Sequence, residues 1–277
     1  MAIGHTVSPA ELVARCRGGD EEAWGALVER FSRYVYAIAI QGFRLREQDA
    51  EDVFQEVFAR VYERLDSLRS DDAIQPWIAQ LTRRLCVDKL RASSREEPTD
   101  DPELSTVPDE DALVKVDQAL DVHDALVELS DNCRDILDRF FARDESYRTI
   151  AEALELPAGT IASRISRCLV KLREQLEGRN VVVAHVLLAG DVMNAYDEDR
   201  LAELIAALPP APEGWVRAAQ ELPQARKSLD EIVARAEADA AFRQALIANL
   251  ESALAQAGYE PERPLVEELR RRYSAGS

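Results

Sequence analysis

An apolar residue returns every third or fourth position through most of this chain, and that spacing restricts it to helices that bury one face. Phe54, Phe58, Val61 and Leu65 fall at i, i+4, i+7 and i+11. Further on, Tyr147, Ile150, Ala151 and Leu154 mark a short helix, Glu155-Leu156-Pro157 a tight break, and Ile161, Ile165, Cys168, Leu172 and Leu176 a longer helix. Two helices joined by a turn of about three or four residues form a helix-turn-helix. The turn lacks the common glycine, but Pro157 suits the start of the second helix. Ala, Leu, Glu and Arg dominate, aromatic residues are only 6% and β-branched runs are few, so an all-α fold is expected.

The 277 residues divide into four parts. Residues 8–94 form a first helical domain. Residues 95–111 hold three prolines and many acids, too little apolar surface to fold alone, and read as an acidic linker. Residues 112–178 form the helix-turn-helix domain, and residues 179–277 a mainly helical C-terminal domain. In this last part residues 181–190 are ambiguous between helix and strand. Residues 197–208 read as a helix and residues 215–222 as a short one. Ser228 and Glu231 have the spacing of a capping box opening the next helix. Phe242, Leu246, Leu250 and Leu254 form one stripe ending at Gly258, and a last helix follows Pro264.

The net charge of −18 opposes a polyanion partner at first sight, but its distribution does not. Arg83, Arg84, Lys89, Arg91 and Arg95 stand against Asp88 alone; Arg164, Arg167, Lys171, Arg173 and Arg179 stand against Glu174 and Glu177. Between these basic islands, residues 96–121 carry ten acids and one lysine. Cys16, Cys86, Cys133 and Cys168 are scattered singly and read as small buried hydrophobes in a reducing compartment. His5, His123 and His185 are equally isolated, so neither a metal site nor a cofactor is expected. No Gly-rich phosphate loop or catalytic motif stands out, and an enzyme is not expected. No leader sequence is evident. The longest apolar run, residues 181–190, is about half of a membrane span, which points to a cytoplasmic protein.

Function is therefore sought in surfaces. Thr160, Ser163, Arg164, Arg167 and Lys171 lie opposite the apolar stripe of the second helix, with no acid before Glu174. Such a face suits a DNA major groove. Arg83, Arg84, Asp88 and Arg91 form a mainly basic face after a loop at residues 66–74, suited to single-stranded or distorted DNA. Asp52, Gln55 and Glu56 form an acidic face whose residue types alone favour ordinary solvated surface.

The run Asp49-Ala-Glu-Asp-Val-Phe-Gln-Glu-Val-Phe-Ala-Arg-Val-Tyr62 closely resembles region 2 of extracytoplasmic-function sigma factors. Residues 76–91 resemble that family's −10 reading element. Residues 129–177, including Ser146-Tyr-Arg-Thr-Ile-Ala-Glu-Ala-Leu154, resemble its region 4, which reads the −35 element. The resemblance implies that Asp52, Gln55 and Glu56 face the β′ clamp helices of core RNA polymerase. It also implies that Arg83, Arg84, Asp88 and Arg91 lie near the melted −10 strand of promoter DNA, and that the loop at residues 66–74 captures a flipped base. Thr160, Ser163, Arg164, Arg167 and Lys171 would then read the −35 major groove. Arg84 stands where the family usually has Asn, and Ala162 and Leu169 stand where basic residues are common.

The chain continues for 99 residues past Gly178, where the family usually ends. That extension has 11 basic and 16 acidic residues and no zinc pattern, and is expected to regulate the domains before it. A separate anti-sigma factor is left open. Two alternatives stay beside this reading: a helix-turn-helix regulator that binds DNA without polymerase, and a sigma-like polymerase-binding protein that does not initiate.

Overall fold

The structure, a computed structural model, describes residues 7–96, 108–179 and 198–259 together with Val266, Leu269 and Arg270. Among the described residues every regular element is helical. The first four are α1 (Pro9–Arg17), α2 (Glu21–Ala37), α3 (Glu47–Arg64) and α4 (Ile74–Glu96). Their starts are set by local chemistry. Ser8 accepts from Glu11 N at 3.2 Å with Pro9 in the first turn, and Asp20 accepts from Ala23 N at 3.0 Å. The helices close on Trp24, Phe31, Phe54, Phe58, Val61, Ile74 and Ile78, all buried, so the stripe read on α3 faces the core.

Helix α5 (Glu110–Val127) ties this bundle to the helix-turn-helix, packing on α2 on one side and on the helix Ile161–Arg179 on the other. Its first turn lies so close to Gly42 that a Cβ there would come within 2.3 Å of Leu113 Cδ2. Asp109 N also donates to Gly42 O at 2.8 Å, so this glycine is what allows the approach. Deeper in, Arg30 of α2 meets buried Asp124 of α5 at 2.7 Å. The adjacent residue, His123, is held neutral, its pKa lowered to about 4 by burial first and then by Arg33, Arg30 and Arg134.

The helix-turn-helix domain continues with α6 (Asp131–Leu137), α7 (Tyr147–Ala153) and α8 (Ile161–Arg179). The chain leaves α2 and α6 by the same device. Each runs into one π turn, Ile38–Gly42 or Asp138–Ala142, and then a left-handed residue, Arg44 at φ 50° or Asp144 at φ 52°. Leu45 N to Ala39 O and Glu145 N to Arg139 O close the two turns at 3.1 and 3.0 Å. Between α7 and α8 the missing glycine is replaced by Glu155, left-handed at φ 52°, with Leu156 N donating to Ala151 O at 2.9 Å as in a Schellman cap.

Tyr147 opens α7, in the short helix its spacing predicts, and lies at the surface: it is 45% exposed and stacks on Phe140, ring centroids 5.4 Å apart. One expectation fails in this domain. Cys133 and Cys168 are not isolated thiols but a disulfide. They are 35 residues apart in sequence, and only the packing of α6 on α8 brings them together. A cross-link over a loop of that size restricts the unfolded chain by roughly 2–4 kcal/mol. Cys16 and Cys86 are buried or half-buried thiols, their pKa values pushed up to about 11 and about 12 by desolvation.

The C-terminal part holds α9 (Glu198–Ala206), α10 (Glu213–Gln220), α11 (Leu222–Ala238), α12 (Ala240–Ala248) and α13 (Leu250–Gln256); residues 181–190 lie outside the described residues. Ser228 does not start a helix: α11 begins six residues earlier with Pro223 in its first turn, and Ser228 sits mid-helix. The stripe from Phe242 to Leu254 is not one helix either. Asn249 takes an extended conformation and caps α13 by accepting from Ser252 N at 3.0 Å. The described residues form two compact units divided after Val216. The second unit, from Arg217, has its own core of Leu229, Ile232, Phe242, Leu246, Leu254 and Leu269, with Arg235 lying 4.5 Å over the Phe242 ring.

Candidate functional site

Helix α8 presents the most open of the three surfaces. Ile161, Ile165, Cys168, Leu172 and Leu176 are buried, which turns Ser163, Arg164, Arg167 and Lys171 outward. Arg164, Arg167 and Lys171 form no ion pair with another described residue, and Arg167 Nε donates only to Ser163 O at 3.1 Å. Thr160 is half-buried, its hydroxyl donating to Pro157 O at 2.7 Å, so it braces the turn and offers less to a groove. Leu169 is 3% exposed and belongs to the core, not to this face. Val170, by contrast, is exposed beside Lys171.

On α4, Arg84, Asp88 and Arg91 are exposed, as their spacing implies. Arg83 is turned inward toward α5, where its Nη2 donates to Asp117 Oδ2 at 2.8 Å. The other oxygen of Asp117 accepts from the Tyr34 hydroxyl at 2.6 Å, and burial followed by this hydrogen bond raises the Tyr34 pKa. The neighbouring loop is pinned by a residue that sequence reasoning missed. Arg17 of α1 donates to Leu65 O at 3.1 Å, to Leu68 O at 2.6 Å and to the Asp71 carboxylate. Nothing local signals this, since Arg17 and Leu68 are 51 positions apart.

The polar face of α3 is engaged at every candidate position. Asp52 pairs with Lys89 of α4 at 2.6 Å, a hydrogen bond that raises the Lys89 pKa, and Glu56 pairs with Arg60 at 2.7 Å. Gln55 Nε2 donates to the carbonyl of Trp215, 160 residues away, at 3.1 Å. The Trp215 ring lies against Phe54 and Tyr36, with centroids 5.7 and 5.6 Å apart. Sequence reasoning did not connect Trp215 to α3. It follows a proline-rich run, and the short helix read at residues 215–222 carries no mark of the surface it packs on.

With this geometry in view, two family models match the chain: sigma-70 region 2 over residues 27–96, and sigma-70 region 4 over residues 125–174. The first thus covers α2 to α4, and the second α6 to most of α8. Among similar proteins, ECF RNA polymerase sigma factor SigW of Bacillus subtilis is 24% identical over 59% of this chain and 94% of its own length. RNA polymerase sigma-H factor of Pseudomonas aeruginosa is 26% identical over 60% of this chain and 93% of its own. ECF RNA polymerase sigma factor SigM of Mycobacterium tuberculosis is 29% identical over 62% and 86% respectively.

Proposed function

Because this chain belongs to the extracytoplasmic-function sigma factors, with both sigma-70 regions followed by a C-terminal extension, we propose how its surfaces divide the work of starting transcription. As an RNA polymerase sigma factor it binds core enzyme and promoter DNA. The single observation that carries the finer reading is the outward face of α8, three exposed cations with no ion pair among the described residues, standing behind α7 in a helix-turn-helix. Arg164 and Arg167 read bases of the −35 element through bidentate contacts, while Ser163 and Lys171 hold phosphates. Arg84 and Arg91 track the melted −10 strand, and the loop that Arg17 pins holds an unstacked base. Asp52, Gln55 and Glu56 meet the β′ clamp helices. The extension modulates these contacts. The reading places the protein in the cytoplasm with its polymerase, and no described helix is long and apolar enough to cross a membrane.

Run-off transcription on fragmented genomic DNA, with purified core polymerase and the full chain, tests this. Discrete transcripts that depend on the chain are expected. Core binding without transcripts would favour the non-initiating sigma-like protein, and DNA binding without core binding the helix-turn-helix regulator. Deleting residues 179–277 should change transcript yield, and an unchanged yield would remove the modulating role.

A further inference from the structure

We infer that residues 207–216 are an intramolecular occupant of the polymerase-binding face, with Trp215 as its anchor, so that the chain is held in a self-blocked state. The inference rests on the sigma reading above and adds the device by which the extension acts.

The segment is bound at both ends and in the middle. Its two leading carbonyls are taken by side chains of the first bundle: Gln41 Nε2 donates to Ala207 O at 2.9 Å and Arg33 Nη1 to Leu208 O at 3.1 Å. Just upstream, Glu203 of α9 pairs with Lys115 of α5. Ala207, Leu208 and Ala211 are buried at 4%, 3% and 8% exposure. At the far end Trp215, 7% exposed, packs on Phe54 and Tyr36 while its carbonyl takes the Gln55 amide. Between these anchors, ahead of α10, runs Leu208-Pro-Pro-Ala-Pro212. Proline fixes φ and has no N–H to satisfy, so this stretch is stiff and extended before it binds and loses little entropy in doing so.

The Gln55 amide is turned to the Trp215 carbonyl and the indole packs on Phe54 beside it, so the segment lies on the side of α3 that a partner helix would have to approach. Polymerase therefore competes with the segment. Its apparent affinity is the intrinsic affinity multiplied by the fraction of chains in which the face is open. Displacement by a stronger binder, or by a partner that captures the proline segment, frees the face without any change in α3 itself.

The test measures binding of core RNA polymerase to the full-length chain by fluorescence anisotropy, for the unaltered protein, for Trp215→Ala, and for the double variant Arg33→Ala with Gln41→Ala. The double variant loosens the same segment without removing a ring from a core, so a folding defect in Trp215→Ala would not decide the matter; circular dichroism checks both. Both variants should bind core about tenfold more tightly, chiefly through the open fraction. Equal affinity for all three proteins, with the unaltered chain binding core, would overturn the inference and leave the sigma reading standing. Absence of core binding by all three would overturn the sigma reading, and the inference with it.

Discussion

Helix α8 and helix α3 both present polar faces to one side of a buried apolar stripe, yet the two faces are in opposite states. On α8 the cations Arg164, Arg167 and Lys171 form no ion pair with another described residue, whereas on α3 each of Asp52, Gln55 and Glu56 is already engaged within the chain. The difference suits the partner that the proposed function assigns to each surface. A face for a polyanion gains most of its binding from uncompensated charge and counterion release, and acids nearby would cancel it. A face for a protein helix works through shape and hydrogen bonds, which a segment of the same chain can imitate. On that proposal, control by an intramolecular mimic is natural on α3.

The comparison breaks most severely if the frame shared by both surfaces is cut. Asp124→Ala leaves Arg30 buried without its carboxylate, and a loss of about 3–5 kcal/mol in urea unfolding is expected. A loss below about 1 kcal/mol would show the pair to be worth no more than a surface one. Next in size, Arg164→Ala and Arg167→Ala should each weaken promoter binding by about 1–3 kcal/mol without altering stability, because both are exposed. Lys171→Ala should instead lower affinity for all sequences alike and reduce the salt slope by about one. If Lys171→Ala changed sequence preference, the division of the α8 face into base and phosphate contacts would be wrong.

Glu155→Gly should stabilise the chain by about 1 kcal/mol in thermal unfolding, by relieving a left-handed side-chain-bearing residue in the turn that aims α8. A further effect depends on pH and sits at His123. Its folded pKa of about 4 lies below the ordinary histidine value near 6.5, so the unfolded chain binds the extra proton between those limits. Stability should therefore fall as pH drops from about 6.5 to about 4, and His123→Leu should flatten that part of the profile. An unchanged slope in the variant would move the titration to another group.

What the sequence by itself determined is the helical period and the faces it buries. The apolar period placed the buried faces of α3 and α8 correctly, since Phe54, Phe58, Val61, Ile161, Ile165 and Leu172 all point inward. The same period gave the all-α class, and the outward sets Arg84, Asp88, Arg91 and Ser163, Arg164, Arg167 came as the complement of those stripes. Caps were read less well. Ser228 has the right composition for a helix start, but the burial of Pro223 and Leu229 along one continuous α11 overrides it. Asn249 breaks a stripe that looks unbroken, because a side chain that competes for backbone hydrogen bonds leaves no mark on hydrophobic period. Tertiary structure alone decided the contacts that span tens of residues: Cys133 with Cys168, Arg17 on the loop beyond α3, Arg83 drawn to Asp117, and Trp215 on Phe54 and Gln55. Each joins elements whose approach is set by the packing of whole helices, and a pattern of period 3.6 says which face is buried but not which other helix buries it.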